Sequence, residues 1–171
     1  MLTPGSDHIC PGCSFLSDHV DAARQHFEHA DLSFVAVSRV PLAVIAQVRR
    51  RMGWSFEWVS SEGSDFNFDY GVSFTPEQVA ADEPLYNYGT TAGLGPDIHG
   101  SSVFARGDDG QVYHSYSTYA RGNEMLAGAF HYLDMVPKGR NETGGTMSWV
   151  RRHDEYEDAP AAACPSCASA G

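Results

Sequence analysis

The sequence predicts an α/β domain in which a small mixed sheet carries helices on both faces. Three observations lead to that class. A mostly apolar run of strand length, residues 32–38, stands between two stretches with helical apolar spacing. Two short runs flank Gly107-Asp108-Asp109-Gly110, the composition of a β-hairpin turn. A Cys10-Pro11-Gly12-Cys13 motif opens the first helical stretch.

Taken in order, residues 1–9 are short, polar and turn-like. Leu16, Val20, Ala23 and Phe27 fall on one helical face, so the first helix is expected from about Cys13 to Ala30. The strand at 32–38 follows. Leu42, Ile45, Val48 and Met52 give the next helix its core face, Pro41 suits its first turn, and Gly53 stops it. Residues 54–60 alternate apolar with polar, as a short strand does. Residues 66–72 suit a short strand or a helical turn. Residues 75–100 are rich in Gly, Pro and acidic residues and form a long loop, functional or mobile, with a short helix over 76–81. The hairpin pairs 101–106 with 111–116. Leu126, Ala129, Phe130 and Leu133 give the last helix an apolar face, and residues 137–140 stop it. One further ordered piece is expected at 147–150. Residues 1–154 form the domain, and 155–171 read as an acidic, alanine-rich disordered tail.

Composition narrows the function classes. The 171 residues suffice for one domain with its own core. A net charge of −11 with a single lysine, Lys138, speaks against nucleic acid and anionic membrane as partners. No apolar run is long enough to span a membrane, and no signal peptide is visible, so a cytoplasmic location is expected. Four cysteines arranged as two C-x-x-C pairs then suggest redox or metal chemistry rather than a disulfide framework.

The first pair is the centre of the reading. Cys10 falls at or just before a helix N-terminus, where unpaired N–H groups and the helix dipole favour a thiolate. Cys10 is therefore the expected nucleophile and Cys13, one turn further in, the resolving thiol. The same spacing supplies two of a zinc site's four ligands, and a pair of inert cysteines is the plain alternative. No cofactor is expected, with zinc as the minor option.

The order C-x-x-C, helix, strand, helix, insertion, hairpin, helix is the thioredoxin-like order without its first strand. The chain resembles the bacterial thioredoxin-like family known as domain of unknown function 899. The resemblance rests on residues 10–21 (CPGCSFLSDHVD), 34–41 (FVAVSRVP), 51–69 (RMGWSFEWVSSEGSDFNFD), 115–122 (SYSTYARG), 131–140 (HYLDMVPKGR) and 149–156 (WVRRHDEY). Residues 34–61 are also similar, more distantly, to the middle of peroxiredoxins. The resemblance implies a strand before the C-x-x-C. Only Met1-Leu2-Thr3-Pro4 looks like its end, so the chain is expected to be truncated or assigned too late a start. Thioredoxin-like proteins place a cis-proline before the hairpin, facing the cysteines; here that position falls near His99. A histidine there is expected either to face solvent or to act on the cysteines, as a neighbouring base or a third metal ligand.

The leading function is thiol–disulfide oxidoreduction on a protein disulfide or small thiol, with an unidentified reducing partner. Peroxide reduction through a Cys10 sulfenic acid ranks second, because peroxidatic cysteines usually follow Thr/Ser-x-x and Asp7 stands there instead. A non-catalytic metal-binding or interaction domain is the third reading. Arg39, after the C-terminal end of a parallel strand, is the expected contact for an anionic substrate, or else a surface ion pair. His8, two residues before Cys10, is read as a bystander or else as an electrostatic aid to Cys10. His114, Tyr116 and Tyr119 are read as pocket or packing residues. His131, with Asp134 to orient it, is read as a core histidine. Arg151, Arg152, His153, Asp154 and Glu155 look like a charge-paired docking segment. Cys164 and Cys167 are accidental thiols of a tail, a second half of a zinc site, or exchange partners of the first pair.

Overall fold

The computed structural model describes residues 2, 4, 8–83, 85–92 and 95–156. It is α/β. Helix α1 (Pro11–His29) leads into β1 (Val35–Ser38), α2 (Leu42–Met52) and β2 (Glu57–Ser60). Two short helices, α3 (Phe66–Asp69) and α4 (Pro76–Ala81), precede the hairpin β3 (Gly100–Arg106) and β4 (Val112–Tyr119). A 3-10 helix over Ala120–Leu126 and helix α5 (Gly128–Asp134) follow, with a last 3-10 turn at His153–Glu155. The strands make two two-stranded sheets: β1 parallel to β2, and β3 antiparallel to β4. The first has the register Val35↔Glu57 to Ser38↔Ser60, closed by α2 as a crossover. A bulge between Val103 and Phe104 interrupts the second. Of residues 1–4, Leu2 is buried in the core, while Met1 and Thr3 lie outside the described residues. No helix among the described residues is long and apolar enough to cross a membrane.

Two apolar clusters hold these elements. The larger joins Ile9, Ala36, Val40, Ile45, Val48, Met52, Trp54, Phe56 and Trp58. The smaller joins Phe15, Ala127, Phe130 and Val150, with Met147 and Trp149 packed against it. The piece expected at 147–150 is thus an anchor for the C-terminal segment. Helix α1 buries a different stripe from the one the sequence suggests: Ser14, Phe15, Ser17 and Val20 are inside, while Ala23 is exposed. The serines tolerate burial because each hydroxyl bonds a carbonyl one turn back, Ser14 to Cys10 at 3.0 Å and Ser17 to Cys13 at 2.8 Å. The carboxylates of α1 do comparable work outside. Asp21 accepts the backbone N–H groups of Ser55 (2.8 Å) and Phe56 (3.0 Å), and Asp18 accepts the Trp54 indole N–H (2.7 Å).

Other expectations shift for local reasons. Leu42 is exposed, so α2 buries only Ile45, Val48 and Met52 of its expected face. The last helix does not run through Leu126. A 3-10 helix ends there, Leu126 is exposed, and α5 restarts at Gly128. Glu155, assigned to the tail, belongs to the last 3-10 turn; the tail beyond Tyr156 lies outside the described residues. Gly53 does stop α2, in the left-handed conformation at φ 69°. Gly53→Ala is expected to cost about 1 kcal/mol, because a Cβ disfavours that backbone. A urea titration should show a lower midpoint with an unchanged slope.

Candidate active site

Cys10 is the N-cap of α1 and Pro11 its first residue, so the loop ends where the helix's unpaired N–H groups begin. The Cys13 backbone N–H donates to Cys10 Sγ at 3.3 Å. The Cys13 thiol donates to the same sulfur, and the Gly12 N–H contributes as well. Both cysteines are half-buried. The hydrogen bond from the Cys13 thiol is the main cause that brings Cys10 down to about 5, against the opposing effect of burial. Cys13, holding the shared proton and buried beside a thiolate, is pushed well above the usual thiol range. The two sulfurs thus divide into a thiolate and a thiol, which is the division a nucleophile and a resolving group require.

The walls come from distant parts of the chain. Gly12 lets Met147 approach: a Cβ at Gly12 would stand 3.3 Å from Met147 Cε and 4.0 Å from Cys10 Sγ. Met147 itself sits at φ 58°, its N–H held by the Glu142 carboxylate at 2.7 Å. Arg152 donates to the carbonyl of Ile9, the residue before Cys10, at 3.0 Å. Ile9 belongs to the larger cluster and Phe15 to the smaller, so the C-x-x-C lies on the seam between them.

Tyr86 was not singled out from the sequence, yet it is 3% exposed and its environment includes Cys13. Burial is the main cause that raises its hydroxyl above the usual tyrosine range, against the Ala120 N–H that favours its ionised form. That hydroxyl donates to the His99 carbonyl and accepts the Ala120 N–H, both at 2.6 Å. It therefore ties the entry of β3 to the exit of β4. His99, expected either to face solvent or to act on the cysteines, is exposed, and its Nε2 donates to the Ala120 carbonyl at 3.2 Å. Among the described residues no three His, Cys, Asp or Glu side chains converge on a position that could hold a metal ion. A third-ligand role for His99 beside Cys10 and Cys13 is therefore not supported by this geometry.

Arg39 is engaged elsewhere. Its guanidinium bonds Asp97 at 3.1 Å and stacks over Phe68 at 4.4 Å, and Ser73 donates to the same Asp97 oxygen at 2.6 Å. This pins the long loop to the end of β1. Beside it an open depression of about 480 Å³ is lined by Phe68, Ser73, Phe74, Gln78 and Leu85, and by neither cysteine. The loop is further laid on the hairpin by Tyr88, whose hydroxyl donates to the Ser117 carbonyl at 2.8 Å. His114 bonds Ser117 Oγ at 2.7 Å and packs against Tyr70 and Phe104. His131 is exposed rather than in the core, because α5 turns it outward, and Asp134 pairs with Arg140 at 2.7 Å instead of orienting it. His8 is exposed. The 151–155 segment does dock by charge: His153 donates to Asp18 at 2.7 Å, Arg51 pairs with Asp154 at 2.7 Å, and Arg152 pairs with Glu155.

A family model described as "Bacterial protein of unknown function (DUF899)" matches residues 1–156, nearly all of the described chain, and the protein belongs to that family. No curated protein and no solved structure matches it.

Proposed function

For this member of the bacterial family DUF899 we propose thiol–disulfide oxidoreduction, with Cys10 as attacking thiolate and Cys13 as resolving thiol. The observation that carries the reading is the position of Cys10 as N-cap of α1, its sulfur accepting the Cys13 N–H at 3.3 Å. The Cys10 thiolate attacks one sulfur of a substrate disulfide and expels the other as a thiolate. The Cys13 thiol then loses its proton and attacks Cys10 Sγ, leaving Cys10–Cys13 oxidised and the substrate reduced. The element order around the pair supports a thioredoxin-like arrangement. Suitable substrates are protein disulfides or small disulfides in a reducing compartment such as the cytoplasm, with a separate dithiol to restore the pair.

The test is a redox titration with thiol trapping, in a Cys164→Ser, Cys167→Ser background. A thiolate near 5 stabilises the reduced form at pH 7 by about 2.7 kcal/mol relative to an ordinary thiol, equivalent to about +60 mV. A reversible two-electron transition is expected between about −120 and −270 mV, toward the oxidising end. Thiols that form no disulfide at any poise, and react only after a chelator is added, would overturn the reading in favour of a metal site.

A further inference from the structure

We propose that Cys10, Cys13 and Met147 form a three-sulfur site for monovalent copper. The proposal goes beyond the oxidoreductase reading and concerns the reduced pair. Its first observation is a convergence on Gly12. The point that a Gly12 Cβ would occupy lies 3.7 Å from Met147 Sδ and 4.0 Å from Cys10 Sγ. The Cys13 thiol is hydrogen-bonded to the same Cys10 sulfur. A thioether from a distant segment thus lies beside the C-x-x-C pair, over the one residue of the motif that has no side chain to keep it away.

The second observation is how Met147 is held. Its backbone stands at φ 58°, a conformation that a residue with a Cβ rarely adopts. The Glu142 carboxylate accepts its N–H at 2.7 Å, and its carbonyl accepts the Val150 N–H at 3.0 Å. Gly145, at φ 107°, turns the segment, and Trp149 and Val150 seat it on Phe15 and Phe130. Strained backbone persists only where its surroundings hold it, and it clusters at functional sites. A leucine would fill the space above Gly12 as well; what methionine adds is a polarizable sulfur.

The donor set selects the metal. Zinc takes thiolate, imidazole and carboxylate ligands, and among the described residues no His, Cys, Asp or Glu joins the pair as a third. Monovalent copper is soft and accepts thiolates together with a thioether. Both cysteines bind as thiolates and Met147 as a neutral ligand, so the filled site carries one net negative charge. The start of α1 meets that charge with its dipole and with the Cys13 N–H, which donates to Cys10 Sγ at 3.3 Å. Binding releases the Cys13 proton to solvent. It also withdraws both sulfurs from exchange, so the copper-loaded chain does not attack disulfides.

The test uses the full-length chain carrying Cys164→Ser and Cys167→Ser, reduced and free of oxygen, titrated with Cu(I) against a chromogenic Cu(I) chelator. One equivalent should bind per monomer, and X-ray absorption at the copper edge should show a shell of three sulfurs. In the same chain labelled with selenomethionine, a copper–selenium distance should replace one of them. Met147→Leu keeps the volume, and a circular dichroism spectrum like the parent's checks its fold. Loss of an outer-shell partner of a metal site already costs about 10–100-fold in affinity, so loss of the thioether should weaken copper by at least about 10-fold. Zinc affinity should stay unchanged. A shell of two sulfurs, no copper–selenium distance, or copper held between two chains overturns the proposal, whatever the variant does. So does a Met147→Leu chain that binds copper as tightly as the parent, or that loses copper and zinc affinity equally. The redox titration keeps the failures apart. A reversible Cys10–Cys13 couple with a two-sulfur copper shell defeats the copper site alone, whereas a three-sulfur shell without a couple defeats the oxidoreductase reading alone.

Discussion

Alkylation of Cys10 by iodoacetamide is expected to persist into acid, with a midpoint near pH 5. The thiolate is the reactive form, so the rate falls only as pH drops through that value. The contrast with an ordinary thiol depends strongly on pH. At pH 7 a thiolate near 5 is about 30-fold more populated than one near 8.5, but its lower basicity makes it about 40-fold less nucleophilic, and the two rates nearly cancel. At pH 5.5 the population advantage approaches about 800-fold, so Cys10 should react about 20-fold faster than a free thiol. Cys13→Ala removes the thiol donor, the largest cause of the shift. One hydrogen bond to a charged group is worth about 1.5–3 kcal/mol, which moves the midpoint up by about 1–2 pH units. The plateau rate should rise at the same time, by about 3- to 8-fold, because the thiolate becomes more basic. Cys13→Ser keeps a hydroxyl donor and should stay close to the parent profile. An alkylation midpoint above pH 8 in the parent chain would show that the helix start does not activate Cys10.

Phe130→Ala should produce the largest loss of stability among single truncations near the site. The ring is 2% exposed, lies 5.1 Å from Phe15, and is covered by the Arg140 guanidinium at 4.2 Å. Arg140 is itself held by Asp134 at 2.7 Å and Glu124 at 2.9 Å, and it keeps the Asp134 carboxyl below the usual range. Truncation removes the ring from both Phe15 and Arg140 and leaves a cavity between α1 and α5. Buried Phe→Ala changes cost about 3–5 kcal/mol, or about 6–20 °C in Tm for a chain of this size. Phe130→Leu keeps more of the volume and should cost clearly less. Thermal unfolding followed by circular dichroism measures both. A Tm within about 2 °C of the parent for Phe130→Ala would mean that the smaller cluster is not packed.

What could be read in advance was local. The N-cap role of Cys10, the stop at Gly53, the Asp-Gly hairpin and the short helix over 76–81 each depend on a few neighbouring residues, and each is where the sequence places it. Features made by distant residues were hidden. Tyr86 lies in a stretch without periodicity, and its role depends on His99 and Ala120 meeting across the hairpin. Met147 reaches the C-x-x-C only because Trp149 and Val150 anchor its segment on Phe15 and Phe130. Arg39 was placed at the correct strand end, but its partner Asp97 lies 58 residues away. The stripe on α1 misled because buried serines that satisfy themselves look polar in the sequence.

The seam on which the C-x-x-C lies has a consequence for how its two sulfurs become accessible. The two clusters draw on different parts of the chain: residues 35–60 supply most of one, and the segments around Phe130 and Val150 complete the other. Local opening can proceed unit by unit, at a free energy below that of global unfolding. Loosening the smaller one releases Met147 and the first turn beyond Cys13, while Ile9 keeps the Cys10 end anchored. Access to the inner sulfur would then follow the opening of one half of the molecule. Substitutions in that half, far from either cysteine, would change how readily a small alkylating reagent reaches Cys13 while leaving Cys10 as it is.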